Sequence, residues 1–140
     1  MTYGIKFAGS KTKLLPQIKN IIDSTNSKTV LDAFAGSTRV SQYLASDYTI
    51  ICNDISPISK VFGECFLLNK VPQKHYFDYI EHLNSLVGID GWFTENYGGA
   101  EHQEKKAFQI HNTRKLDAIR NEIDRINLNP IEKSTLLTSL

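Results

Sequence analysis

Two aspartates and one bend carry the chemistry this 140-residue chain could do. Asp32 lies in TVLDAFAGSTRVS, residues 29–41, and Asp54 lies in ICNDIS, residues 51–56. The β-branched pair Thr29 and Val30 leads through Leu31 to Asp32; the bend with Gly36 follows, then Val40 on a helical pattern. A parallel α/β sheet presents the C-terminal end of its first strand to a cofactor in this way, and the spacing suits a βαβ unit gripping an adenosine-type group. A dinucleotide site needs backbone N–H groups facing a pyrophosphate. A carboxylate at the mouth of the bend would repel phosphate. The bend AGST also holds one glycine where G-x-G-x-x-G needs three. S-adenosylmethionine has no phosphate; it carries an ammonium and a sulfonium, so Asp32 favours it by charge. Asp54 then stands where a second-strand acid accepts hydrogen bonds from ribose hydroxyls. The alternative is that both aspartates only cap turns.

Upstream, KFAGSK (Lys6 to Lys11) precedes the first helical pattern. Gly9 permits close backbone approach. Phe7 offers an aromatic surface to a purine or a methionine chain. Lys11 can pair with the carboxylate end of the cofactor or with a DNA phosphate. Taken alone, this segment reads as a glycine turn entering a helix.

The elements that must position these residues follow from periodicity. Leu14, Leu15, Ile18, Ile21 and Ile22 share one face of a helix over Lys11 to Ile22, with Pro16 in its first turns. Thr29 to Phe34 reads as a buried strand. Thr38 to Ala45 reads as a helix with Ser37 as its cap. Tyr48 to Cys52 reads as a second strand. Pro57 opens a helix to about Leu68, and Pro72 ends that region. Tyr76, Ile80, Leu83 and Val87 predict another amphipathic helix. Gly88 to Glu101 holds four glycines and reads as a loop. A long helix follows, with Leu116, Ile119, Ile123 and Ile126 on its buried stripe, and Pro130 starts a last one.

The totals exclude some classes. Net charge is +1, so overall charge does not announce a nucleic-acid partner, although local basic patches are compatible with one. No run approaches the roughly 18 apolar residues of a membrane span, and MTYGIKFAGSK has no apolar signal core, so a cytoplasmic protein is expected. Cys52 and Cys65 sit in apolar runs and read as buried, reduced thiols. The four histidines lack metal-ligand spacing, so no metal site is expected. Lys105, Lys106, Arg114, Lys115, Arg120 and Arg125 alternate with Glu101, Glu104, Asp117, Glu122 and Asp124, which reads as a solvated helix face more than as a DNA-backbone contact. Trp92, Phe93 and Tyr97 read either as base-stacking or wedging aromatics or as anchors over the core.

Taken in order, FAGSK, LLPQI, DAFAGSTRVS and NDIS resemble the N-terminal half of the adenine-specific DNA methyltransferases of the alpha group, which includes the bacterial DNA adenine methylases. GWFTENYGG (Gly91 to Gly99) resembles a later part of a subgroup of them. The resemblance spans nearly the whole chain. It implies that Phe7, Gly9 and Lys11 form the aromatic-x-Gly-x-Lys element, that Asp32 to Thr38 form the D-P-F-x-G-x-G loop, and that Asp54 is the ribose ligand. Phe7, Lys11, Asp32, Phe34, Gly36 and Asp54 are thus the expected cofactor contacts. Three departures stand out. Ala33 replaces the usual proline. Thr38 replaces the last glycine, and its β-branch implies a negative φ and a helix already begun. The catalytic D/N/S-P-P-Y/F motif, which in the family holds the flipped adenine, is absent, for Pro57, Pro72 and Pro130 are each single.

The resemblance implies an α/β fold: an incomplete doubly wound, Rossmann-like methyltransferase sheet with an added helical region. Residues 1–72 are expected to form the S-adenosylmethionine-binding βαβ part, and residues 73–140 a helical region that could begin the target-recognition region. The apolar helical pattern at STLLTSL suggests an N-terminal piece of a longer protein. The expected activity is methyl transfer from S-adenosylmethionine to the exocyclic amine of adenine in double-stranded DNA, with no catalytic residue visible in this piece. A missing C-terminal part or a cognate restriction endonuclease is the expected protein partner. The alternatives are an NAD- or nucleotide-binding domain of an oxidoreductase, or a non-catalytic remnant.

Overall fold

Residues 29–32 and 49–52 are rich in β-branched side chains and pair as parallel strands, β1 (Thr29–Asp32) and β2 (Thr49–Cys52), with Thr29 opposite Thr49 and Asp32 opposite Cys52. Parallel neighbours cannot be joined by a tight turn. The crossover here runs through helix α2 (Arg39–Leu44), which completes a βαβ unit. The computed structural model describes residues 11–99 and 107–140 of the chain. Phe7 and Gly9, expected at the cofactor site, and Lys105 and Lys106 lie outside the described residues.

The chain divides into two compact units, one comprising residues 1–69 and 130–138, the other residues 70–129 and 139–140. In the first, a 3₁₀ turn (Thr12–Leu14) enters α1 (Leu15–Asp23), whose Pro16 sits at the helix start, where its missing N–H is no loss. Pro57 similarly opens α3 (Pro57–Gly63), which continues as a π-helical turn over Glu64–Leu68. After the second unit the chain returns as α7 (Pro130–Ser139). Asn69 Nδ2 donates to Thr135 Oγ1 at 3.0 Å, and Ser134 donates to the Glu64 carboxylate. Among the described residues, Leu15, Ala35, Leu44, Phe62 and Leu136 are the buried apolar side chains of this unit. Thus the segment after residue 129 is divided from the helices that precede it.

The second unit holds α4 (Phe77–Ser85), α5 (Trp92–Tyr97), the two-residue parallel pair β3 (Gly98–Gly99) and β4 (Phe108–Gln109), and the long α6 (Ile110–Arg125). Helices α4 and α5 both pack on α6. Tyr76, Leu83, Ala118, Ile119 and Ile123 form its apolar core. Among the described residues no helix is long and apolar enough to cross a membrane.

Several expectations are corrected. The segment read as a glycine-rich loop contains helix α5. Asp117, buried on α6, accepts from the Phe93 N–H at 3.1 Å, the Thr94 N–H at 2.8 Å and the Thr94 hydroxyl at 2.6 Å, and so organises the first turn of α5. A carboxylate from elsewhere in the chain does the capping, which local sequence cannot show. Asp117 and Glu122 are therefore not part of a solvated face; both are buried. The first strand is shorter than expected and alternates in exposure, because Leu31 (60% exposed) and Ile51 (53%) lie side by side on an open face of the sheet. Cys52 is exposed, not buried, since β2 ends on that open sheet; Cys52 and Cys65 are both free thiols. Helix α1 leaves Leu14 and Ile21 exposed, Val87 lies beyond α4 and is exposed, and Ile126 falls just past the end of α6.

Candidate functional site

The end of β1 and the end of β2 are locked together past the last ladder pair. The Asn53 N–H donates to the Asp32 carbonyl at 2.9 Å, and the Ala35 N–H donates to the Asn53 carbonyl at 3.0 Å. Asn53 Nδ2 donates to the Ala33 carbonyl at 3.0 Å. These bonds draw the Asp32–Thr38 bend over the neighbouring strand end. Asn53 was not foreseen in this role; an amide directly before Asp54 is the signal that could have shown it.

Two residues of the bend take left-handed conformations, Gly36 at φ 49° and Thr38 at φ 59°. Glycine meets this without cost. Thr38 overturns the expected negative φ, and α2 starts one residue later, at Arg39, without a side-chain cap from Ser37 or Thr38. A left-handed L-residue costs about 1–2 kcal/mol. The cost is offset because Thr38 is fully buried, donates its N–H to the Ala35 carbonyl at 2.7 Å and accepts from Gln42 Nε2 at 3.1 Å. Thr38 thus holds a left-handed conformation despite its β-branch.

Asp54 is the clasp of the bend. Its Oδ2 accepts the Gly36 N–H and its Oδ1 accepts the Ser56 N–H, each at 2.8 Å. The Ser56 and Gly36 N–H groups hold its carboxyl below the usual carboxylate range, although desolvation opposes them. Asp54 therefore ties the Gly36 bend to the start of α3. The Ser59 side chain and the Ile55 N–H add to these bonds, so the carboxylate is held from several sides.

Asp32 is half-buried, and its Oδ2 accepts the Ser41 hydroxyl at 2.6 Å. Phe34, 91% exposed, and Ile55, 100% exposed, follow the two strand ends as apolar surfaces open to a ligand or partner. Lys11 is exposed at the head of the 3₁₀ turn into α1, and its carbonyl accepts the Leu14 N–H at 2.8 Å. The structure thus bonds Gly36 directly to Asp54 and ties the Asp32 backbone to the same strand end through the Asn53 N–H, with Phe34 on the same bend. Two carboxylates at adjacent strand ends suit a cationic, phosphate-free ligand with hydroxyls to donate.

The cations of α6 have partners within their own unit. Arg114 pairs with Asp90 through two bonds, at 2.6 and 3.2 Å, and Lys115 donates to the Asn84 and Leu86 carbonyls. Arg120 pairs with Asp124, and Arg125 with Glu122. Trp92, Phe93, Tyr97 and Phe108 form a ring cluster with centroid separations of 5.0 to 5.7 Å. Trp92 is exposed on that cluster and Phe93 is half-buried.

Residues 7–139 match the family model for D12 class N6 adenine-specific DNA methyltransferases. The chain is 29% identical over 133 residues to the modification methylase StsI of Streptococcus sanguinis, covering 86% of this chain and 20% of that protein. It is 30% identical over 153 aligned positions to the modification methylase LlaI of Lactococcus lactis subsp. lactis, covering 97% of this chain and 24% of that protein. It is 24% identical to the type II methyltransferase M.FokI of Planomicrobium okeanokoites, again over 97% of this chain and 24% of that protein. The chain thus spans a quarter or less of the length of these curated relatives. No solved structure matches it. The match over residues 7–139 takes in both aspartates, the bend and the helices beyond them, and on it the chain belongs to the D12 class N6 adenine-specific DNA methyltransferases.

Proposed function

We propose that this chain is the cofactor-gripping part of a site-specific DNA methyltransferase that moves a methyl group from S-adenosylmethionine to the exocyclic amine of adenine. The observation that carries this is the placing of two carboxylates, Asp32 and Asp54, at the C-terminal ends of two parallel strands, with Asp54 bonded to the Gly36 bend. Ligands of open α/β sheets bind at such strand ends. The proposed fold is the first βαβ of a doubly wound, Rossmann-like sheet, with residues 1–72 binding cofactor and residues 73–140 opening the target-recognition region.

In this reading Asp32 pairs with the cationic amino-acid end of the cofactor. Asp54 accepts from the ribose hydroxyls while holding the bend. Phe34, together with Phe7, lies against the adenine or the methionine chain, and Lys11 meets the carboxylate. The cofactor, when bound, supplies an electrophilic methyl on a sulfonium. The proposed partners are double-stranded DNA and either a missing C-terminal part or a cognate restriction endonuclease, in the cytoplasm. The family match and the carboxylate at the bend both favour this over a nicotinamide-dinucleotide site.

Calorimetry with S-adenosylmethionine and with NAD on the same protein tests the reading. Saturable binding of the first and none of the second is expected. The reverse pattern would overturn the cofactor assignment.

A further inference from the structure

Several hydroxyls on the helices of this chain satisfy themselves. Thr113 donates to the Ile110 carbonyl, Thr135 to the Ile131 carbonyl and Thr138 to the Ser134 carbonyl, each at 2.8 Å. Such back-bonding is the default for a helical Ser or Thr. Ser41, like Thr94 and Ser134, gives its proton to a carboxylate instead. It is 0% exposed on α2, yet its hydroxyl proton goes to Asp32 Oδ2 at 2.6 Å. The Cys52 thiol in turn donates to Ser41 Oγ at 2.9 Å.

The polarity of this chain of bonds is set by proton count. An ionised carboxylate only accepts, and a hydroxyl has a single proton to give. Ser41 must therefore donate to Asp32 and accept from Cys52, and Cys52 must be a protonated thiol. Partial desolvation of the sulfur raises the thiol above its ordinary range, in keeping with that state. The thiol polarises the hydroxyl, and the hydroxyl holds one carboxylate oxygen in a single position.

We propose that Ser41 is a positioning residue for Asp32, the middle of a Cys52–Ser41–Asp32 relay that sets how tightly the site holds the ammonium-bearing end of its ligand. The inference rests on the reading of Asp32 as the partner of the cofactor's amino-acid end. Ser41 occupies Oδ2, so a ligand ammonium meets the carboxylate through Oδ1. A carboxylate fixed beforehand loses less freedom when the cation arrives, so the relay strengthens binding without touching the ligand. Asp54 is held differently: the Gly36 and Ser56 N–H groups bond one oxygen each, and the Ser59 side chain adds to them.

The test compares two ligands on the 140-residue chain. S-adenosylmethionine carries the amino-acid part; 5′-deoxy-5′-methylthioadenosine keeps the adenosine and sulfur but lacks it. In Ser41→Ala, affinity for the first is expected to fall about tenfold, the scale of one lost charge-assisted hydrogen bond, while affinity for the second changes by less than about twofold. Equal weakening of both ligands, or no change in either, would overturn the proposal, because a merely structural serine would not distinguish them. Wild-type protein that binds neither ligand defeats the cofactor reading, and the relay's role with it. If circular dichroism shows that Ser41→Ala does not fold, variants at the exposed Cys52 carry the test. Cys52→Ala is expected to weaken S-adenosylmethionine roughly threefold, and Cys52→Ser, which keeps a donor, to restore it. Unchanged affinity in Cys52→Ala would then overturn the relay.

Discussion

At the scale of residues, the two aspartates have separate tasks. Asp32 is bonded to a side chain, whereas Asp54 is held mainly by backbone N–H groups. Asp32→Asn removes the charge but keeps the shape. It is expected to weaken S-adenosylmethionine binding by about 1.5–3 kcal/mol, read by calorimetry, with little change in melting temperature. Glu122 gives a prediction in pH. The Arg125 guanidinium, and then His82, hold its carboxyl at about 2, against an ordinary 4.5. A depressed acid contributes stability that is complete above its unfolded value and lost as pH falls through its folded one. The second unit should therefore weaken as pH drops from about 4.5 toward 2, and Glu122→Gln should flatten that part of the profile. Urea unfolding followed at Trp92, the only tryptophan, reads it.

Among the elements, α5 depends most on a distant residue. Asp117→Ala leaves three buried or half-buried donors on Phe93 and Thr94 without their acceptor. The expected loss is about 3 kcal/mol, with early amide exchange across Trp92–Tyr97. Glycines separate two kinds of backbone demand. A Cβ at Gly36 meets nothing within 4 Å, so Gly36→Ala should cost only the left-handed conformation, about 1–2 kcal/mol. A Cβ at Gly98 would stand 2.6 Å from Thr113 Oγ1 and 2.7 Å from the Thr94 carbonyl oxygen. Gly98→Ala must shift backbone and should be the more damaging of the two in thermal melts, whatever its φ. The glycine spacing around residues 88–101 suggested a loop because glycine is a turn residue; here Gly98 serves close packing between α5 and α6, which spacing alone does not reveal.

For the molecule as a whole, the open face of the sheet decides behaviour. Parallel sheets are normally covered on both faces. Here Leu31 and Ile51 lie bare on one face, and Phe34 and Ile55 project beyond the strand ends. The isolated chain is expected to bind the dye ANS, and Leu31→Thr with Ile51→Thr should reduce that signal without lowering the melting temperature. Incubated with tritiated S-adenosylmethionine and mixed-sequence DNA, the 140 residues are expected to transfer no methyl, since they contain no Pro-Pro motif to hold the adenine. Clear label on adenine would show that another group makes the base pocket.

The sequence by itself determined the family, the two-strand βαβ core and the carboxylates that face its strand ends. Those features rest on local order: β-branched runs, a glycine bend and acids at set spacing. Tertiary structure alone decided the rest. Thr38 turns left-handed because the bend is pulled over β2 by Asn53 and Asp54, against its own β-branch. Asp117 is a buried cap, and not a surface charge, because α5 folds onto α6. Ser41 serves Asp32 because the strand order brings Cys52 and Asp32 side by side beneath it. Each of these bonds joins residues far apart in sequence or overrules a local preference, so only the folded chain brings its partners within reach.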